Sequence, residues 1–574
     1  VKAGVRDGFR SLRRLPSFSL RRLFSFAVLA VAVACTRVGD GSSAAPGGGT
    51  VTLHPWTLPG HLRVAQSGSP NTLNPILSTQ QFEIQAEGLI FDPLVATDPK
   101  GHDVPVLATR VPTLENGDIS RDGLSIAYHL RPGVLWHDGA PFTSRDVQFT
   151  WQAIMNPKTL VATRHGYDQV LRVDTPDAHT AVFRLKRPFA PAVHTLFAHS
   201  DSPYGILPAH LLARYADLNG LPFNSAPIGT GPYKVERWYR GDRIEYVANE
   251  RYFLGKPAIA RITLHFIGDE NTIANQMRAH EIDLFISASP RVYPQLLGID
   301  GLALRLVPFN GVDSIMINTV RAPFSDVRLR RAIASAIDKD RLVREVTYGT
   351  TLPATGDIPS FMWAYDPHAG VRGYDPGAAR ALLEAAGWHV GPDGIRVKNG
   401  ERLRLGMAYR TDSLTDRNRG VLIAAMLKAV GFDVDLKGYQ TALLYGPVSE
   451  HGILASGAYD TGLLTWYAGV DPDDSTQFLC DQVAPNGYNW SRYCNPAVDA
   501  AERAALAHYD LPTRKKAYAV VQRALARDVP YVDLWWPRAI EAFNSDLHGF
   551  EPNGIVETWN AHAWHFGGAD STHS

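Results

Sequence analysis

The spacing of apolar positions changes character along the chain. From about His61 it has a period of two. LSIAYHL (Leu124–Leu130) alternates as a half-buried strand does, and RPGVLWHDGAPF (Arg131–Phe142) follows with Asp138-Gly139, a tight-turn signal. RIEYVAN (Arg243–Asn249) and ARITLHF (Ala260–Phe266) alternate likewise on either side of a loop. Beyond about residue 312 strands begin to alternate with helices. Ser325 is expected to cap a helix that places Val327, Leu329, Ile333, Ala336 and Ile337 on one face. Asp375-Pro376 predicts the start of another, with Gly387 just past its end. RLRLGMAY (Arg402–Tyr409), Asp416–Val430 and FDVDL (Phe432–Leu436) read as strand, helix and strand, with Gly431 ending the helix. Such a βαβ unit implies parallel pairing in a sheet covered by helices. A late helix, Thr513–Arg527, turns Tyr518, Val521 and Leu525 inward before the strand YVDLWW (Tyr531–Trp536). A β-rich first half and an α/β second half predict two lobes, and no repeat of 20–50 residues is visible.

Composition adds that this is a folded protein of several domain-sized units. Its 574 residues are 45% hydrophobic and 20% charged, outside the ranges of disordered, collagen-like or coiled-coil chains. The zero formal charge conceals an asymmetry. Residues 1–34 hold seven basic side chains and one acidic one, and removing them leaves 50 basic against 56 acidic. A body near −6 gives no general reason to bind nucleic acid.

The basic start and the run LFSFAVLAVAVA (Leu23–Ala34) have the form of an export signal, too short to span a bilayer. Ala32-Val33-Ala34-Cys35 is similar to a bacterial lipobox, in which Cys35 becomes the acylated first residue; an ordinary signal with an incidental cysteine is the alternative. Arg21-Arg22 also leaves export by the general or the twin-arginine route open. Residues 35–60 then form the lipidated cysteine and a Gly/Ser-rich tether. The remaining cysteines, Cys480 and Cys494, are expected to pair, as suits an oxidising compartment; two free thiols are the other reading.

Catalytic signatures are missing. No GxxxxGK[ST], HExxH or GxSxG occurs. His194 with His199, and His562 with His565, lack further ligands nearby in sequence, so structural roles are expected and no metal or other cofactor is implied. Asp471, Asp473 and Asp474 lie too close together in sequence to flank a glycosidic bond from opposite sides.

Several blocks in collinear order carry a resemblance. They include LNPILSTQQF (Leu73–Phe82), DGLSIAYHLRPGVLWHDGAPFTSRDVQFTW (Asp122–Trp151), IGTGPYKVERW (Ile228–Trp238), INTVRAPFSDVRLRRAIASAIDKDRLV (Ile317–Val343) and NGYNWSRYCNPAVD (Asn486–Asp499). The chain resembles the extracellular solute-binding proteins of family 5, the peptide, oligopeptide and nickel-chelate receptors of ABC importers. The resemblance implies an α/β fold of two lobes, the periplasmic-binding-protein type II or Venus-flytrap kind, with mixed sheets and a small extra domain in the first lobe. The first lobe would span 61–311 and return at 539–574, and the second would span 312–538. A monomer, tethered to the membrane by lipid, would close over a peptide or similar solute. It would hand the solute unaltered to permease subunits served by a separate ATPase.

Site residues follow by the same resemblance. TWYAGVDPDD (Thr465–Asp474) corresponds to the family's Trp-containing loop at the cleft, making Trp466, with Tyr467, the leading contact. Peptide-binding members anchor the ligand's amino group on an aspartate three residues after this Trp. Here that position is Gly469, and Asp471 is the candidate substitute. Ser78–Ile84 matches a cleft-lining stretch, so Gln81 and Phe82 are candidates, with Tyr439 a further one. An exported hydrolase using cleft carboxylates, or a receptor for a nickel chelate, sugar or other non-peptide solute, are the alternatives.

Overall fold

The computed structural model describes residues 52–200, 202–370 and 373–567; the leader, Cys35 and the tether up to Val51 lie outside them. Two large sheets organise the chain. The first has seven strands in the order Leu302–Pro308, Arg538–Asn544, Leu284–Ala288, His61–Gln66, Arg261–Phe266, Arg243–Ala248 and Tyr233–Tyr239. His61–Gln66 pairs in parallel with both neighbours, and every other pairing is antiparallel, so the sheet is mixed. The two strands predicted by alternation, Arg243–Ala248 and Arg261–Phe266, are antiparallel partners within it.

The second sheet has six strands: Leu352–Pro353, Tyr531–Trp536, Gly311–Ile317, Thr461–Tyr467, Arg404–Arg410 and Asp433–Tyr439. Arg404–Arg410 and Asp433–Tyr439 pair in parallel over seven residues, joined by the helix Leu414–Lys428 as the βαβ pattern requires. Gly311–Ile317 is buried along its whole length, which explains why it shows no alternation. Its core joins Ile315, Leu405, Ile423, Leu463 and Trp535.

The chain passes from one sheet to the other twice. Pro308 ends a strand of the first sheet and Gly311 opens a strand of the second, while Trp536 ends a strand of the second and Arg538 returns to the first. Phe309 N–H donates to the Pro537 carbonyl at 3.2 Å, tying the two crossings together.

A smaller antiparallel sheet, Ser125–His129, Thr180–Leu185 and Val170–Asp177, carries the helix Ser144–Met155 and shares a hydrophobic core with the first large sheet. The turn before that helix holds Gly139 at a φ of 95°, and Trp136 N–H donates to Ala140 O at 2.8 Å. Trp136 itself is fully buried, so this string serves packing.

Local signals needed small corrections. The helix Val327–Ala336 is capped by Asp326, whose side chain accepts from Arg328 N–H, and not by Ser325; a carboxylate one residue on reaches the open amides better. Ser413 caps the helix Leu414–Lys428, two residues earlier than the apolar pattern suggested. The late helix extends over Leu511–Asp528, capped by Asp510. Asp375 caps Pro376–Ala385 with proline at the first position, and Gly387 follows at a φ of 83°. Among the described residues no helix is long and apolar enough to cross a membrane.

Candidate functional site

The strand Thr461–Tyr467 ends where the second sheet faces the first-sheet half of the molecule. Its pairing with Gly311–Ile317 sets Trp466 opposite Val312 and Tyr467 opposite Gly311. A Cβ at Gly311 would come within 2.5 Å of the Trp466 carbonyl, so only glycine allows this approach. Trp466 meets Tyr488 edge-on at 5.7 Å, Tyr488 meets Trp490 edge-on at 5.5 Å, and Trp490 stacks on Tyr445 at 6.0 Å. The result is a continuous aromatic wall contributed by three separate chain segments.

That wall bounds a cavity of about 440 Å³. Thr79, His165, His194 and Ser202 line it from one side; Arg410, Trp466, Tyr467, Asp471 and Tyr488 line it from the other. It shares Thr163, His165, Tyr445, Thr476, Tyr488 and Trp490 with a second cavity of about 840 Å³, so the two form one cleft. Aromatic walls with a few placed polar groups suit a ligand whose side chains vary.

Polar contacts cross the cleft. His194 Nε2 lies 2.9 Å from Asp103 Oδ1 on its own side, and its Nδ1 lies 3.7 Å from Asp471 Oδ2 on the other. His165 Nε2 lies 3.5 Å from Asp473 Oδ2. Ala190 N–H donates to Leu506 O at 2.7 Å, and Tyr509 O–H donates to Gly123 O at 3.1 Å. Burial disfavours a charged imidazole at His194, but Asp103 and Asp471 outweigh it and raise the group to about 9.

Asp471 lines the cavity yet is already occupied. Arg514 donates to its two oxygens at 2.6 and 2.7 Å, a forked pair buried on both sides. Burial alone would raise this carboxyl, but Arg514 and His194 hold it well below the usual carboxylate range. The sequence reading offered Asp471 as a receptor for an ammonium group; in the structure its charge is met within the protein. The partner lies 43 residues further on, in another helix.

Arg410, also on the wall, forks onto Asp416 at 2.7 and 3.2 Å. Arg419 pairs with Asp313 and lies 2.8 Å from Asp416, while Thr465 O–H donates to Asp313 at 2.6 Å. This buried network braces the strand that carries Trp466.

The other candidates lie apart from these cavities. Gln81 Nε2 donates to Glu557 at 3.0 Å and to Ile555 O at 3.3 Å, which ties its helix to the C-terminal segment. Phe82 covers Gly68, where its ring leaves no room for a Cβ. Tyr439 ends its strand and packs partly buried beside Leu444 and Leu454. Thr79, two residues before Gln81, is the member of that stretch that reaches the cleft. Tyr488, Trp490 and Tyr445 were missed, although Tyr488 and Trp490 lie inside the matched block NGYNWSRYCNPAVD.

Cys480 and Cys494 form a disulfide with their Cα atoms 4.7 Å apart, closing the loop that carries Tyr488 and Trp490. His199 is buried, accepts from Thr97 N–H at 3.2 Å and is lowered to about 3 by burial, a packed histidine. Among the described residues no group of three or more His, Cys, Asp or Glu is arranged to hold a metal.

Comparison with known proteins agrees with this architecture. Residues 103–488 match the family profile described as bacterial extracellular solute-binding proteins, family 5 middle. Protein XP55 of Streptomyces lividans is 29% identical over 480 residues, covering 82% of each chain. Di/tripeptide-binding protein 2 of Pseudomonas aeruginosa is 28% identical over 527 residues, covering 86% of this chain and 92% of that one. The crystal structure of NikZ from Campylobacter jejuni in complex with Ni(L-His) superposes with a TM-score of 0.75 at 25% identity, covering 89% of this chain and all of that one.

Proposed function

Because the chain belongs to the bacterial extracellular solute-binding proteins of family 5, we propose that it is the receptor of an ABC importer that captures a peptide or similar-sized solute and releases it unaltered to a permease. The carrying observation is the aromatic-walled cleft between two sheet-bearing halves that are joined by two short crossings. Rotation about Phe309–Asn310 and Pro537 would open and close it without disturbing either sheet. The lobes are taken as 61–311 with 539–574, and 312–538.

A relative named for di- and tripeptides supports peptides as the first class to test, and one whose structure holds Ni(L-His) supports metal chelates as the second. Binding to the folded state alone raises the melting temperature by mass action. Di-, tri- and oligopeptide pools, nickel–histidine and simple saccharides should therefore be screened by thermal shift, with bound material eluted and identified by mass spectrometry. Retained peptides of unchanged mass support the reading. Cleaved peptides would replace it with hydrolysis, and retention of nickel–histidine alone would assign the chelate class.

Anchoring belongs to the same reading. Cys35 would carry the lipid, so Cys35→Ala should move the protein from the membrane to the soluble fraction of fractionated cells. Unchanged fractionation would leave export without lipidation. The protein is taken to act as a monomer, with the permease and a separate ATPase as its partners.

A further inference from the structure

The helices Pro496–Ala507 and Leu511–Asp528 belong to the half that carries the second sheet, where Val498, Ala505, Tyr518 and Val521 share a core bordered by Tyr531. The turn between them faces the other way. Leu506 and Tyr509 pack against the core of the first-sheet half, the one that holds Tyr128, Phe183 and Phe189. Two apolar side chains of one half are thus covered by the other, across the cleft, and their burial favours the halves together.

The receiving slot is shaped for a ring. Gly123 closes the turn before the strand Ser125–His129, its N–H donating to Ser120 O at 2.8 Å. Its φ is 67°, and a Cβ there would meet Tyr509 Cε2 at 2.7 Å and Pro188 Cβ at 3.2 Å. Glycine is therefore required twice, by the backbone and by the space. The Tyr509 hydroxyl donates to Gly123 O at 3.1 Å and accepts from Phe189 N–H at 3.4 Å. Burial pushes this phenol up to about 12, so it keeps the proton that it donates.

The ring does not act alone. Beside it, Ala190 N–H donates to Leu506 O, and four residues further on His194 faces Asp471. Arg514 joins these two grips: its Nε donates to Ala505 O at 2.9 Å, and its terminal nitrogens fork onto Asp471. The stretch Pro188–His194 is therefore held at several points by one braced unit of the opposite half. Phe189 and Leu506 line the larger cavity, whereas Tyr509 lines neither cavity of the cleft.

We propose that Tyr509 is the key of a clasp that holds the two halves closed and sets the affinity for every ligand alike, without touching any of them. This goes beyond the receptor reading and rests on it. A side chain that favours the closed arrangement with or without ligand changes only the fraction of molecules competent to hold one, and the apparent affinity of each ligand scales with that fraction. Residues of the aromatic wall act differently, because they meet the ligand and select among side chains.

The test uses the whole protein with a pool of unmodified tripeptides and nickel–histidine as probes, retention being counted by mass spectrometry well below the melting temperature. Tyr509→Ala should lower retention of every retained probe by a common factor of about ten and leave their order unchanged. In X-ray scattering, ligand-free Tyr509→Ala should show a larger radius of gyration than the ligand-free parent. Tyr509→Phe, which keeps the ring and loses the donor, should fall between the two. Gly123→Ala, in the opposite half, should mimic Tyr509→Ala. The double variant should be no weaker than Tyr509→Ala alone, since the added methyl then has no ring to displace. If Gly123→Ala does not fold, the two Tyr509 variants decide. Unchanged retention and radius in Tyr509→Ala, a reordered set of probes, or additive losses in the double variant would overturn the clasp and leave the receptor reading intact. Failure of the parent to retain any tripeptide or nickel–histidine would overturn the receptor reading and the clasp together.

Discussion

Asn310 donates from its side-chain amide to the carbonyl of Gly469 at 2.8 Å. Asn310 lies in the two-residue crossing between the sheets, and Gly469 lies three residues beyond Trp466, in the cleft loop. Ala468 N–H returns a bond to the Asn310 carbonyl, also at 2.8 Å. One residue therefore ties the crossing proposed to act as hinge to the loop that lines the cleft.

Asn310→Ala removes the side-chain half of this link. A single hydrogen bond contributes about 1 kcal/mol to stability, so the melting temperature should fall only slightly. Ligand affinity, measured by calorimetry, should fall several-fold because the loop loses its fixed relation to the crossing. Equal affinity of variant and parent would show that the loop keeps its place without Asn310.

Trp466 lines the cleft and is the first member of the aromatic wall. Trp466→Ala should weaken binding of any retained peptide by more than about 1 kcal/mol, the threshold expected of a buried aromatic anchor. Trp466→Phe should recover part of that loss. An affinity unaltered by the alanine change would place Trp466 in packing alone.

His194 makes the stability depend on pH. Its folded value is raised to about 9 by Asp103 and Asp471 against the effect of burial, while an unfolded histidine titrates near 6.5. The contribution is thus complete below about 6.5 and is lost as pH rises through about 9. Urea unfolding at pH 6 and pH 10 should show a larger loss for the parent than for His194→Gln. Glu502, raised to about 8, acts in the same direction in both proteins, so the difference between them isolates the histidine. Parallel losses would mean that the ring carries no charge.

The Cys480–Cys494 disulfide closes the loop bearing Tyr488 and Trp490. A closed loop of about 15 residues is worth roughly 3 kcal/mol on the chain-entropy account. Cys480→Ser with Cys494→Ser should lower unfolding free energy by about that much and should also weaken binding, since two of the wall's four rings lose their tether. A stability loss with intact affinity would confine the bridge to a purely structural role.

Much of the frame is legible in the order of residues, because strands and helices answer to local periods and caps. The alternation in Arg243–Ala248, the βαβ spacing around Leu414–Lys428 and the Asp375-Pro376 start all follow from backbone geometry within a few residues. Trp466 stands out in the sequence only through the resemblance of its loop to the family's, and in the structure it lines the cavity. What Asp471 does is settled only by folding, since Arg514 reaches it from a helix 43 residues away and His194 from the other half of the molecule. The same holds for the small cavity that Trp466 also lines, where Asp357, Asp473, Asp474 and Asp533 come together through sheet order and helix packing. Protonation there depends on burial and on neighbouring charge, and both exist only once the chain has closed on itself.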